Sequence, residues 1–186
     1  MQDRFREEVV TRHNKALENA MYYLATAFMV LAAVYSLFMI NIMLSLLTAG
    51  GFKPEYIPET ALTLVMLAAA VLLFLYRDRI RTEYEYTFTN GTMDFAQVFN
   101  NRKRKPLGTM NVRNVEACGM VASGSFNRYL SVPGVNRLNW FLNRGADLFY
   151  FYFSKEGKKT LLVIEPSQEM LDLIRKTVGP GKFQTN

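Results

Sequence analysis

Four consecutive cations, Arg102, Lys103, Arg104 and Lys105, stand between two apolar runs in the stretch "VFNNRKRKPLG". Clustered lysine and arginine side chains neutralise phosphate, on a nucleic acid or on lipid headgroups, when they do not simply form a solvated turn. Other chemistry-bearing residues are thinly spread. One cysteine, Cys118, and one histidine, His13, exclude an internal disulfide and a zinc cluster of the Cys/His type. No phosphate-cradling glycine pattern followed by Lys-Ser/Thr occurs. The "SGS" at residues 123–125 lacks a strand-to-helix elbow and a histidine partner. A reactive Cys118 would want a neighbouring histidine or a helix N-terminus. The sequence offers neither, and a predicted strand makes Cys118 a small core residue. His13 precedes the first helix and reads as a solvated flank residue, away from the folded domain. Asp94, Glu116, Asp147 and Glu165 carry carboxylates, but no spacing selects a pair. The reading expects no catalytic residue, no cofactor and no metal.

What must position the cations follows from the uneven charge. Half of the 186 residues are hydrophobic, yet no charge occurs from Asn19 to Phe52 or from Thr60 to Tyr76. From Arg77 onward there are 17 Lys+Arg and 10 Asp+Glu, a net of +7; the whole chain is +6, so the first 76 residues sum to −1. A bilayer core about 30 Å thick needs roughly 20 apolar residues in a helix. Two segments qualify, at about 20–47 and 60–76. The first is too long for a signal-peptide apolar region. Gly50, Gly51, Pro54 and Pro58 break helix between them, so the pair reads as a transmembrane hairpin. Arg4, Arg6, Arg12 and Lys15 flank its start, Arg77, Arg79 and Arg81 flank its end, and the connector holds only Lys53. That asymmetry predicts a two-pass protein of the cytoplasmic membrane with both termini inside. Phe5, Val9, Arg12 and Ala16 predict either a weak amphipathic helix or a frayed start of the first span.

After Arg81 the period becomes two. Tyr84, Tyr86 and Phe88 point one way, and Glu83, Glu85 and Thr87 the other. Asn90-Gly91 is a strong hairpin signal, because both turn positions take positive φ. "TMDFAQVF" returns, "LGTMNV" and "VEACGMVA" supply further strands, and "ADLFYFYFS" and "KTLLVIE" flank a second turn at "KEGKK". Apolar residues at every position of Leu148 to Phe153 predict a central strand covered on both faces. Ser123 to Gly145 reads as a long connection with a short helix near Arg137 to Asn143. A final helix starts at Pro166, is capped by Ser167 or Glu165, buries Met170, Leu171, Ile174 and Val178, and stops at Gly179-Pro180. The fold class is α+β: residues 1–81 as flank and hairpin, and 82–186 as a sandwich-like domain closed by a helix.

Two apolar helices, then "EYEYTFTNG", "NRKRKPL" and "EPSQEMLDLI", resemble an uncharacterised bacterial family of small membrane proteins with a pleckstrin-homology-like domain. The resemblance covers nearly the whole chain. It implies two sheets of about seven strands, as a sandwich or barrel, with a C-terminal helix plugging one end. It brings no assigned activity.

The functional expectation is a membrane-anchored cytoplasmic binding or scaffold module without catalysis. If the first strand runs outward from the bilayer, the second brings Arg102, Lys103, Arg104 and Lys105 back, to join Arg77, Arg79 and Arg81 against anionic lipid headgroups. Nucleic acid is not expected, since no nucleic-acid module accompanies the run. An unidentified protein partner is expected. The alternative is a membrane enzyme acting on lipid or cell-envelope precursors, which a pocket holding paired carboxylates or a metal would favour.

Overall fold

The structure is a computed structural model that describes residues 4–51 and 53–185. The chain divides into two compact units, residues 14–81 and residues 1–13 with 82–186.

The first unit is a helical hairpin. Asn14 caps α1 (Lys15–Gly50) by accepting from the Leu17 N–H at 3.0 Å. Gly51 and a 3₁₀ turn at Pro54–Tyr56 separate it from α2 (Ile57–Tyr76). Both helices are long and apolar enough to cross a membrane by length and composition. At 1.5 Å per residue, the 36 residues of α1 run about 54 Å, well beyond a bilayer core of about 30 Å. Ala32 and Ser36 of α1 and Thr63 and Ala70 of α2 are the buried positions. Small side chains let helices approach closely where no water drives them together. The outer surface is nearly all apolar, including Leu24, Leu31, Phe38, Val65 and Phe74.

The second unit is built from two open sheets rather than a closed barrel. One has the order β1-β2-β3-β4, and the other β6-β8-β7-β5-β9. The first contains β1 (Phe5–Val10), β2 (Thr82–Thr89), β3 (Thr92–Phe99) and β4 (Lys103–Asn111), all antiparallel. The second contains β5 (Ala117–Met120), β6 (Asn136–Trp140), β7 (Phe149–Lys155), β8 (Lys158–Ile164) and β9 (Phe183–Gln184). The sheets share a core of Tyr86, Phe88, Met93, Phe95, Phe149 and Phe151, closed by Met170, Leu171 and Ile174 of α4 (Gln168–Thr177). The opposite face of the second sheet, with Tyr150, Tyr152, Leu161 and Val163, is covered by α3 (Gly124–Leu130) and the segment after it. β7 is therefore covered on both faces, as its unbroken apolar run requires.

Several expectations need correction. The N-terminal flank is neither a helix nor a frayed helix start but a strand. Phe5 and Val9 are four apart, a spacing that suits both a helical face and alternate strand positions, and β1 pairs with β2 from Phe5↔Thr89 to Val10↔Tyr84. The domain boundary moves with it, since residues 4–13 complete the sheet begun at Thr82. Among the described residues the sandwich has nine strands, not about seven, β1 with six residues and β9 with two standing at sheet margins. The expected helix at Arg137–Asn143 is strand β6, parallel to β8, and the helix of that connection lies earlier, at Gly124–Leu130. The basic run is not a turn. Asn100 and Asn101 take φ of 49° and 52° and turn the chain, which leaves Lys103, Arg104 and Lys105 on strand β4.

Candidate basic site at the connected end of the domain

The pleat divides the four cations. Lys103 and Lys105 lie opposite Phe99 and Gln97 of β3, on the side of the sheet that carries Phe95 and Met93 toward the core. They stand beyond the core and are exposed. Arg104 points to the other side, where its guanidinium meets the Glu85 carboxylate at 2.6 Å. Arg102, in the turn, is exposed as well. Arg102, Lys103 and Lys105 make no ion pair among the described residues. β4 is also an edge strand, with β3 as its one neighbour. Lysines and a proline on an exposed edge discourage strand addition by other chains, and Pro106 completes that pattern.

Registers place this patch at one end of the sheet. Phe99 faces both Thr82 and Lys103, and Val10 faces Tyr84. Thr82 and the residues after Val10 are where the chain passes to and from the hairpin. Both covalent connections and the three unpaired cations thus share one end of the first sheet. The opposite end carries the Asn90-Gly91 turn. The β7–β8 turn lies there too, since Lys155 and Asn111 line one small cleft.

Arg77, Arg79 and Arg81, the other expected headgroup contacts, belong to the hairpin and are occupied there. Arg81 lies 3.9 Å from the Tyr22 ring centroid and donates to Asn19 Oδ1 at 2.8 Å. Arg77 stands 5.9 Å from the same ring, and Arg79 stacks on Tyr76 at 4.7 Å. Cation–aromatic contacts of this kind are attractive, and tyrosines with arginines are side chains that suit a membrane–water boundary.

The carboxylates meet elsewhere. Glu8, Asp147, Glu165 and His13 line a cleft of about 440 Å³ between β1 and the start of α4. Glu165, with its side chain 11% exposed, accepts from the Leu142 N–H at 3.2 Å, the Asn143 N–H at 3.0 Å and Asn143 Nδ2 at 2.7 Å. Glu8 accepts from the Ser167 N–H at 3.0 Å, at the start of α4. Both glutamates are thus committed to backbone amides, and the nearest histidine atom, His13 Nε2, is 3.9 Å from Glu165. His13 is part of the β unit, contrary to its reading as a detached flank residue; its N–H donates to Asn143 Oδ1 at 2.9 Å. Asp94 bonds the Thr109 hydroxyl, and Glu116 pairs with Lys159 at 2.7 Å. Among the described residues no three His, Cys, Asp or Glu side chains converge as metal ligands. Burial pushes the Cys118 thiol up to about 12, the nearby Lys182 charge offsetting only part of the rise. Burial likewise raises Tyr86, whose hydroxyl donates to the Trp140 carbonyl.

A two-sheet domain with a C-terminal helix agrees with the match of residues 2–183 to the family model for the bacterial PH-like domain, DUF6106. The chain belongs to this family. No curated protein and no solved structure matches it. The DUF6106 match runs across β1, both helices and the second sheet, so the family unit includes the hairpin as an insertion between two paired strands.

Proposed function

We propose that this chain is a two-pass protein of the bacterial cytoplasmic membrane, with both termini in the cytoplasm, whose PH-like domain is a non-catalytic binding or scaffold module. Its basic end, Arg102, Lys103 and Lys105, meets anionic lipid headgroups. The observation that carries the reading is the shared location of these cations and both chain connections at one end of the first sheet. A hairpin anchored in the bilayer keeps that end close to the surface through two covalent links. Arg104 contributes less because Glu85 already neutralises it. Three cations at about 1 kcal/mol each give about 3 kcal/mol, too weak to anchor a domain but enough to orient one held at high effective concentration.

The test uses the full chain in nanodiscs of neutral or anionic lipid, with amine acetylation read residue by residue. Lys103 and Lys105 should label several-fold more slowly in anionic discs, and added salt should remove the difference. Lys158, at the opposite end of the domain, should label equally in both. Equal labelling of Lys103 in the two lipids would refute headgroup contact. The position of the run on an edge strand favours a second reading, protection against strand addition. On that reading, changing Arg102, Lys103 and Lys105 to Ser promotes association of the domain and leaves lipid dependence unchanged.

A further inference from the structure

β1 contributes little to the core. Its inward side chains are Arg6, Glu8 and Val10, so one apolar side chain is buried along six residues. Besides its pairing with β2, the strand reaches α4 through polar contacts, Arg6 with Glu169 at 3.0 Å and Glu8 with the Ser167 N–H, and it is fastened at its two ends. At the start, Arg4 N–H donates to Asn90 Oδ1 and Asn90 N–H to the Arg4 carbonyl, each at 2.9 Å. At the end, Asn143 Nδ2 donates to the Thr11 carbonyl at 2.9 Å while Asn143 Oδ1 accepts from the His13 N–H. A carboxamide that donates to one carbonyl and accepts from the amide two residues on imitates a rung of a β ladder. Asn143 therefore extends the pairing of β1 beyond Val10, past the last residue that β2 pairs with it. Glu165 holds Asn143 in place through its own backbone and side-chain bonds.

A strand held by hydrogen bonds, with little apolar burial, belongs to the low-stability end of a domain's local openings. We propose that β1 is a detachable strap, latched by Asn143, that switches the PH-like domain between a two-point and a one-point connection to the hairpin. Fastened, the domain is linked through both Thr82 and His13. Released, it is linked through Thr82 alone, the edge of β2 is open, and the start of α4 loses the Glu8 carboxylate. This inference stands apart from headgroup contact and holds whichever surface the cations meet.

Hydrogen exchange of the full chain in nanodiscs tests it. In the native chain, residues 5–10 should exchange faster than residues 149–164. Asn143→Ala should accelerate residues 5–10 at least tenfold and leave residues 149–164 within twofold. A disulfide between Glu7→Cys and Thr87→Cys, which face each other across β1 and β2, should restore slow exchange in the Asn143→Ala chain. Unchanged exchange of residues 5–10 in Asn143→Ala overturns the latch. Equal acceleration of both segments overturns the strap, because Asn143 would then support the whole fold. Failure of the cross-link to restore protection overturns it too.

Discussion

Residues 4–13 should be needed for the PH-like domain to reach its full stability outside a membrane. The perturbation is a comparison of two chains. In one, residues 14–81 are replaced by a short Gly/Ser linker, which the antiparallel pairing of β1 with β2 allows, since Val10 and Tyr84 are already neighbours. The other is residues 82–185 alone. Its missing strand removes the burial of Val10, which contributes about 1.5–3 kcal/mol. It also removes the Glu8 carboxylate from the Ser167 N–H, a charge-assisted bond contributing about 1.5–3 kcal/mol. The ladder bonds of β1, at about 0.5–1.5 kcal/mol net each, are roughly offset by ordering costs of about 1–2 kcal/mol per residue. The joined chain should therefore be more stable by about 3–6 kcal/mol. Urea unfolding read by the half-buried Trp140, which packs 5.0 Å from Phe95 between ring centroids, measures the difference. The joined chain should also show the larger m value, because it exposes more surface on unfolding. Equal midpoints and equal m values would refute the assignment of β1 to this domain.

A reporter active only in the cytoplasm should work when fused after Asn186 and fail when inserted at Gly51; activity at Gly51 with silence at the C-terminus would reverse the orientation drawn from the Lys/Arg asymmetry. Leu171→Ala and Ile174→Ala, both at fully buried positions of α4, should each cost the joined soluble chain about 2–5 kcal/mol in urea unfolding, and no loss would mean that α4 does not close the core. Cys118, buried and with its thiol raised to about 12, should resist alkylation at pH 8 at a rate set by domain opening, so fast labelling of the folded chain would contradict its burial.

Much of the second unit was legible because its signals are local. Asn90 and Gly91, with φ of 52° and 100°, make the turn that their dipeptide announces. Glu156 and Gly157 do the same between β7 and β8. Ser167 caps α4 by accepting from the Met170 N–H at 3.2 Å, and three of the four apolar residues assigned to its inner face are buried. β1 escaped because its partner is distant in sequence: Glu8 pairs with Tyr86 across the entire hairpin. A six-residue segment with three charges carries little strand signal by itself. β6 escaped for a related reason. Its pairing with β8 is parallel and follows a glycine- and proline-bearing connection, and Asn136, Arg137 and Asn139 weaken the alternation of Leu138 and Trp140.

The basic run shows how a one-element shift changes a functional reading. A turn of four cations would present all of them to one surface. The turn is made by Asn100 and Asn101 instead, because asparagine tolerates positive φ better than other residues with a β-carbon. The cations then fall on a pleated strand, where neighbours point to opposite faces. Arg104 is carried across to Glu85, and Lys103 and Lys105 remain together on the other face with Arg102 beside them at the turn. The shift lowers the charge that can meet a surface from four to three. It also changes the site from an adaptable loop into a feature of a strand. A patch fixed to a strand cannot rearrange to suit any anion, so its usefulness depends on how the domain is oriented. The two chain connections leave the domain at the same end of the sheet, Thr82 directly and Val10 through Thr11 to His13. On the proposed headgroup reading, the weak attraction of three cations and the double connection are parts of one arrangement: the connections supply proximity, and the cations select among the orientations that proximity leaves open.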